Sequence, residues 1–113
     1  MKVKVIQPHH NKWEITKFPT FAKGTVVLMN KKEDDEFPGW HPCEIDGHQT
    51  FVPQLFVCDG KLTREYNPTE LVQEAGDVLE VQEIVHAWLI ATNEKGTTGW
   101  ITAENVVSVK NLN

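Results

Sequence analysis

Alternation of apolar and polar residues is the dominant local pattern along the chain. Leu79 and Val81 alternate with Glu80 and Gln82, which is the period-two pattern of a half-buried β-strand. No window of helical length carries apolar residues at the i, i+3, i+4 spacing of an amphipathic helix, and six prolines would interrupt any long helix. The pattern therefore predicts an all-β protein.

Two glycine turns lie between β-rich runs. Asp46-Gly47 and Lys95-Gly96 each follow one such run and precede another. Glycine tolerates the positive φ that tight hairpin turns require. Each pair therefore predicts a β-hairpin.

The chain also repeats itself. Read in order, the second half places the same residue types at matching positions, with one extra residue before its turn. The aligned pairs are Gly24 with Gly76, Trp40 with Trp88, Gly47 with Gly96, Phe51 with Trp100, Val52 with Ile101 and Val57 with Val106. The repeat predicts two domains, residues 1–58 and 59–113, joined by the short polar link Cys58-Asp59-Gly60-Lys61. The opening strand of the first domain is expected within residues 1–6.

The second copy resembles an SH3 (Src homology 3) domain. The matching segments are Arg64-Glu65-Tyr66, Glu70-Leu71-Val72, Gly76-Asp77, Trp88 and the closing run 99–106, Gly-Trp-Ile-Thr-Ala-Glu-Asn-Val. The first copy matches through Lys23-Gly24-Thr25, Gly39-Trp40 and residues 50–57. The whole chain resembles small bacterial proteins that contain two variant SH3 units. The resemblance implies two tandem SH3-like small barrels packed together.

By resemblance, such domains bind proline-rich segments in an aromatic groove, with nearby acidic residues receiving a ligand Arg or Lys. The residues carried over in the first copy are Trp40, Pro53 and Phe56, and the acidic run is Glu33, Asp34, Asp35 and Glu36. The second copy offers Tyr66, Glu70 and Trp88 but has Thr102 and Asn105 where the family has a proline and a tyrosine. We therefore expect the peptide site on the first copy and a weaker groove on the second.

Charge and hydropathy narrow the classes of partner. Sixteen Asp and Glu oppose eleven Lys and Arg, giving a net charge of -5, and no basic cluster exceeds Lys31-Lys32. A nucleic-acid partner is therefore disfavoured. The longest apolar run, residues 87–91, is too short for a membrane span, and the first eight residues do not resemble a secretory signal. We expect a cytoplasmic monomer with a protein or peptide ligand and no membrane association.

The residues that could carry chemistry do not form a recognisable site. Cys43 and Cys58 have no metal-binding or redox spacing, and neither the adjacent pair His9-His10 nor His41 with Cys43 has a third ligand at a zinc-like spacing. We expect reduced cysteines, solvated histidines, no metal, no cofactor and no catalytic activity. The function predicted is a non-catalytic peptide-binding adaptor. The alternatives are a scaffold module with buried grooves and a cell-wall-associated SH3-like binding domain.

Overall fold

A computed structural model describes residues 1–9, 17–29 and 39–109, and its regular elements are β-strands and two short 3₁₀ helices. The strands are β1 (Lys2–Val5), β2 (Val27–Met29), β3 (Trp40–Ile45), β4 (His48–Pro53), β5 (Val57–Cys58), β6 (Lys61–Leu62), β7 (Val78–Val85), β8 (Trp88–Thr92), β9 (Thr98–Thr102) and β10 (Val106–Ser108). The 3₁₀ helices are Gln54–Phe56 and Ala103–Asn105. The predicted all-β class is confirmed. Within these residues, no helix has the length and apolar character needed to cross a bilayer.

The strands form three antiparallel sheets, which fall into two compact units. Unit 1 comprises Met1–Lys17 and Thr69–Asn113, and unit 2 comprises Phe18–Pro68. Unit 1 contains a five-stranded sheet in the order β10-β1-β7-β8-β9. Unit 2 contains the three-stranded sheet β2-β3-β4 and the hairpin β5-β6. The boundaries of these units differ from the predicted division between residues 58 and 59.

Each unit contains a hairpin with the same register. Trp40 faces Pro53 across β3 and β4, and Trp88 faces Thr102 across β8 and β9. The predicted turn Asp46-Gly47 joins β3 to β4, with φ of 53° and 83°. Two successive positive φ values match the twist of a two-residue hairpin, which is why glycine is needed there. The other predicted turn also lies between two strands, β8 and β9.

The first strand corrects one prediction. Residues 1–6 were expected to open the first copy, but β1 lies between β10 and β7 in the sheet of unit 1. Val5 donates its N–H to the carbonyl of Asp77 and accepts from the N–H of Gly76, both at 2.8 Å. Further along, His9 and Gln73 exchange both backbone hydrogen bonds at 2.9 Å. Residues 2–9 are therefore the opening segment of unit 1.

Unit 2 receives its opening segment from residues 61–66. Leu62 donates its N–H to the carbonyl of Thr25 at 2.9 Å and accepts from the N–H of Gly24 at 2.8 Å. Tyr66 and Phe21 then exchange both backbone hydrogen bonds, at 3.0 and 2.8 Å. These four bonds match the four that Val5 and His9 make in unit 1. The two copies of the repeat have thus exchanged their opening segments.

A tight turn explains this exchange. Asp59 and Gly60 have φ of 53° and 72°, so the chain reverses within two residues after β5. The Asp-Gly pair is a strong signal for such a hairpin. It pairs β6 directly with β5, placing Leu62 opposite Val57. The segment that we predicted to link two domains is therefore a hairpin turn inside unit 2.

Each unit has buried apolar residues from both its opening segment and its later strands. In unit 1 the core cluster is Val3, Val5, Leu71, Leu79, Leu89, Ala91 and Ile101. In unit 2 the buried apolar residues include Phe21, Val27, Cys43, Ile45, Val52, Phe56, Leu62 and Tyr66. Cys43 and Ala91 are both fully buried, as expected from their common register. The exchanged segments are therefore integral to the unit that each completes.

The two cysteines should differ sharply in reactivity. Cys43 is buried, and burial raises the pKa of its thiol to about 12, whereas Cys58 is exposed. Because the thiolate is the nucleophile, we expect Ellman's reagent to modify Cys58 quickly and Cys43 only after denaturation. Thiol counting on denatured, unreduced protein should find two free groups. A count of zero would contradict both this assignment and the expected reducing compartment.

Candidate functional site

Trp88 in unit 1 lies at the centre of a partly exposed polar and aromatic cluster. It is the first residue of β8, and its indole is half-buried. The ring of His9 approaches it edge-on, with centroids 5.7 Å apart and an interplanar angle of 78°. Thr102, which faces Trp88 across the hairpin, is also half-buried. The opening segment and the β8-β9 hairpin together therefore build this surface.

His9 contacts an oxygen acceptor with each of its ring nitrogens. Nδ1 lies 2.7 Å from the carbonyl oxygen of Leu71, and Nε2 lies 3.3 Å from Oε1 of Glu70. A neutral imidazole has only one N–H, so it cannot donate to both acceptors. The charged imidazolium can, which makes it the form that fits this site. The His9 side chain is 9% exposed and that of Glu70 is 23% exposed.

The surroundings of His9 act on its pKa in opposite directions. Burial favours the neutral ring and lowers the pKa. The hydrogen bonds to Glu70 and to the Leu71 carbonyl, together with the negative charge of Glu70, outweigh burial. The pKa of His9 is therefore raised above its usual value, in agreement with the two acceptors that face the ring.

A second group of polar side chains fixes the backbone that pairs with His9. The side chain of Gln73 donates through Nε2 to Asp77 Oδ2 at 2.7 Å and accepts at Oε1 from Asn93 Nδ2 at 2.9 Å. On the other side, Asn105 Nδ2 donates to the carbonyl oxygen of Pro8 at 3.0 Å. The position of the His9 ring is therefore set by the fold rather than by a free surface rotamer.

The residues predicted for the second-copy groove belong to different units. Glu70 and Trp88 lie in unit 1, and both of them contact His9. Tyr66 lies in unit 2, where its hydroxyl donates to the carbonyl of Phe51 at 2.5 Å. His9 was expected to be a solvated surface histidine, and that expectation is wrong because its side chain is buried between an acid and an indole.

The residues predicted for the first-copy groove are mostly buried. Trp40 is half-buried at the start of β3, but Pro53 and Phe56 are buried. The ring of Phe56 packs edge-on against Tyr66 at 5.6 Å, and the guanidinium carbon of Arg64 lies 4.4 Å from its centroid. Pro53 and Phe56 therefore offer little surface to a ligand. The acidic run Glu33, Asp34, Asp35 and Glu36 lies outside the described residues.

Thr102 and Asn105, which stand where the resemblance implies a proline and a tyrosine, weaken an apolar groove less than the sequence suggests. The hydroxyl oxygen of Thr102 accepts from the N–H of Glu104 at 3.4 Å and caps the second 3₁₀ helix. Asn105 uses its amide on the carbonyls of Gln7 and Pro8, at 3.3 and 3.0 Å. The hydroxyl oxygen of Thr102 and the amide nitrogen of Asn105 therefore already have partners within the chain, and an apolar ligand would not leave these two atoms unpaired.

Comparison of the chain with protein-family models, with curated proteins and with solved structures finds no significant match.

Proposed function

We propose that the protein is a non-catalytic peptide-binding adaptor built from two SH3-like units that exchange their opening segments. The observation that carries the proposal is that the half-buried Trp88 and the partly exposed carboxylate of Glu70 both contact His9 in unit 1. A flat ring and an acid that share one neighbouring residue suit an extended ligand with an apolar ridge and a basic end. Trp40 occupies the matching hairpin position in unit 2 and is also half-buried.

A proline-rich ligand fits this surface for a general reason. A polyproline II segment has already lost much of its conformational freedom, so its binding costs less entropy than that of a flexible peptide. Its ridges can pack against the flat face of an indole. The net charge of -5 favours a ligand that carries Arg or Lys.

The state of two reactive side chains supports a non-catalytic role. The thiol of Cys43 is buried with a pKa raised to about 12, so its thiolate is scarce at neutral pH. In its charged form, the ring of His9 engages an acceptor with each nitrogen and has no lone pair with which to act as a base. Neither group is therefore poised to attack a substrate as a nucleophile.

Unit 1 is the better candidate for the main peptide site. Four residues at or next to its surface are half-buried, namely Glu70, Trp88, Thr102 and Asn105. In unit 2 the matching apolar residues Pro53 and Phe56 are buried, so Trp40 is the accessible part. We therefore propose that the main peptide site lies in unit 1, rather than on the first copy of the repeat as the sequence suggested.

Substitution of Trp88 should weaken binding of an Arg-flanked proline-rich peptide. If Trp88 is the central anchor, Trp88→Ala costs on the order of 2 kcal/mol of binding free energy, about thirtyfold in Kd. The matched control, Trp40→Ala, should change Kd little. The measurement is an NMR titration that follows the indole N–H signals of Trp40 and Trp88. The amide spectrum serves as a check that each variant folds.

The alternative outcomes decide between the remaining hypotheses. A loss of binding in Trp40→Ala alone would return the site to the first copy. If no proline-rich or basic peptide binds the wild-type protein, the adaptor proposal is wrong and a scaffold role is favoured. Glu70→Gln provides a second test, because it keeps the aromatic surface and removes only the charge.

A further inference from the structure

In unit 1, the charged ring of His9 is a cation that contacts Glu70, the acid of the candidate peptide surface. The ring of His9 lies between Glu70 and Trp88, in contact with both. Those are the two residues that a basic ligand side chain would use, one for its charge and one for its aliphatic stem. A cation from the same chain therefore occupies the place of the ligand's cation.

We propose that His9 determines which ligands unit 1 accepts: charged, it withholds Glu70 from basic peptides, and neutral, it releases Glu70 to them. This inference rests on the proposed function, because it describes the regulation of the same site. In contrast, Trp40 in unit 2 has no role in this switch. The two units should therefore differ in how pH affects their binding.

Among the residues that the structure describes, Glu70 is the ionisable group that contacts the His9 ring. Residues 70–73 present the Glu70 carboxylate and the Leu71 carbonyl, and β8 presents the uncharged indole of Trp88. From the second 3₁₀ helix, Asn105 contributes an uncharged amide that bonds the Pro8 carbonyl. The carboxylate of Asp77 accepts hydrogen bonds from the side chain of Gln73 and from the N–H of Glu74. Its partner Gln73 therefore lies between this carboxylate and His9.

When His9 loses its proton, its attraction to Glu70 is lost and a basic side chain of the ligand binds Glu70 in its place. A neutral His9 keeps one N–H, and the 2.7 Å contact with the Leu71 carbonyl requires it at Nδ1. Nε2 then presents a lone pair to the Glu70 carboxylate, which is repulsive. A guanidinium remains charged throughout the pH range in which a histidine titrates, and it donates two parallel hydrogen bonds to a carboxylate. Glu70 is partly exposed and can receive it.

The test measures peptide affinity and histidine ionisation separately. An Arg-flanked proline-rich peptide is titrated into the full chain at about pH 5.5 and about pH 8.5, on either side of a usual histidine pKa. The signal is the indole N–H of Trp88, and that of Trp40 serves as an internal reference. The His9 ring is titrated by NMR without peptide, in the wild type and in Glu70→Gln.

We expect affinity at Trp88 to rise about two- to fivefold from the lower to the higher pH, the range for a partly exposed ion pair. His9→Gln should abolish this change and bind at both pH values as the wild type does at high pH. The control His86→Asn, at an exposed turn residue with φ of 53°, should behave like the wild type. In the free protein, Glu70→Gln should lower the pKa of His9.

The failures can be told apart. Binding at Trp88 that does not change with pH, or a pH dependence that survives in His9→Gln, overturns the inference and leaves the proposed function standing. Absence of peptide binding at both pH values overturns both. A pKa of His9 that is unaffected by Glu70→Gln overturns the ion pair on which the switch depends, whatever the peptide does.

Discussion

Residues 18–68 expressed alone will fold, whereas residues 59–113 expressed alone will not. The first fragment contains all of unit 2, including the opening segment 61–66. The second fragment contains the later strands of unit 1 but lacks β1, the strand between β10 and β7. A division of the chain by its repeat would give the opposite expectation for the second fragment.

The loss of β1 is large on the scale of domain stability. Val3 and Val5 are 3% and 1% exposed, and full burial of a valine contributes roughly 1.5–3 kcal/mol. Together they represent about 3–6 kcal/mol, against a typical total stability of 5–15 kcal/mol. The backbone groups of β7 and β10 that pair with β1 would also lose their partners. The fragment 59–113 therefore has too little left to remain folded.

Circular dichroism and amide NMR spectra of each fragment provide the measurement. The control is an equimolar mixture of residues 1–58 and 59–113, which together contain both opening segments and should regain the native spectrum. A fragment 59–113 with a dispersed spectrum and a cooperative melt would show that the exchange of segments is not required for folding.

Leu62→Ala should destabilise unit 2, although Leu62 belongs by sequence to the second copy of the repeat. Leu62 is 2% exposed and is anchored by Thr25 and Gly24. Truncation of a buried leucine costs about 2–5 kcal/mol, depending on how far the cavity collapses. The reciprocal change, Val5→Ala, removes less volume and should destabilise unit 1.

Native-state hydrogen exchange can assign each loss to one unit. Leu62→Ala should accelerate exchange in β3 and β4, and Val5→Ala in β7 and β8. Leu55→Ala and Val72→Ala are matched controls, since these side chains are 69% and 53% exposed. If Leu62→Ala accelerated exchange only in β7 and β8, our assignment of the opening segments would be wrong.

Local patterns predicted the strands well but not their partners. The alternation at Leu79 and Val81, the Asp46-Gly47 turn and the buried position of Cys43 all agree with the structure. These features depend on a few neighbouring residues. Two apolar segments of similar period can complete either sheet, so alternation cannot choose between them. The Asp59-Gly60 pair carried the missing information, because a two-residue hairpin commits β6 to β5.

The candidate site was also predicted only in part, because local patterns do not show which opening segment joins which unit. Glu70 and Trp88 were identified and both contact His9, but Tyr66 belongs to the other unit. The importance of His9 was missed because His9-His10 has no third ligand at a zinc-like spacing, so both histidines were expected to be solvated. A usable signal existed: His9 follows Val5 by the same spacing as Tyr66 follows Leu62. Once the opening segments are aligned, His9 falls on the position of an expected groove tyrosine.

The exchange also sets the order in which the protein can fold during synthesis. Unit 2 is complete once its own opening segment has left the ribosome, so it can fold while the later strands of unit 1 are still being made. Residues 2–9 must wait for partners near the other end of the chain, since Asn105 and Pro8 are 97 residues apart. Such long-range closure is slow. Lys2 and Lys4, which alternate with the buried valines of β1, place charge on the waiting strand and discourage its pairing with another molecule.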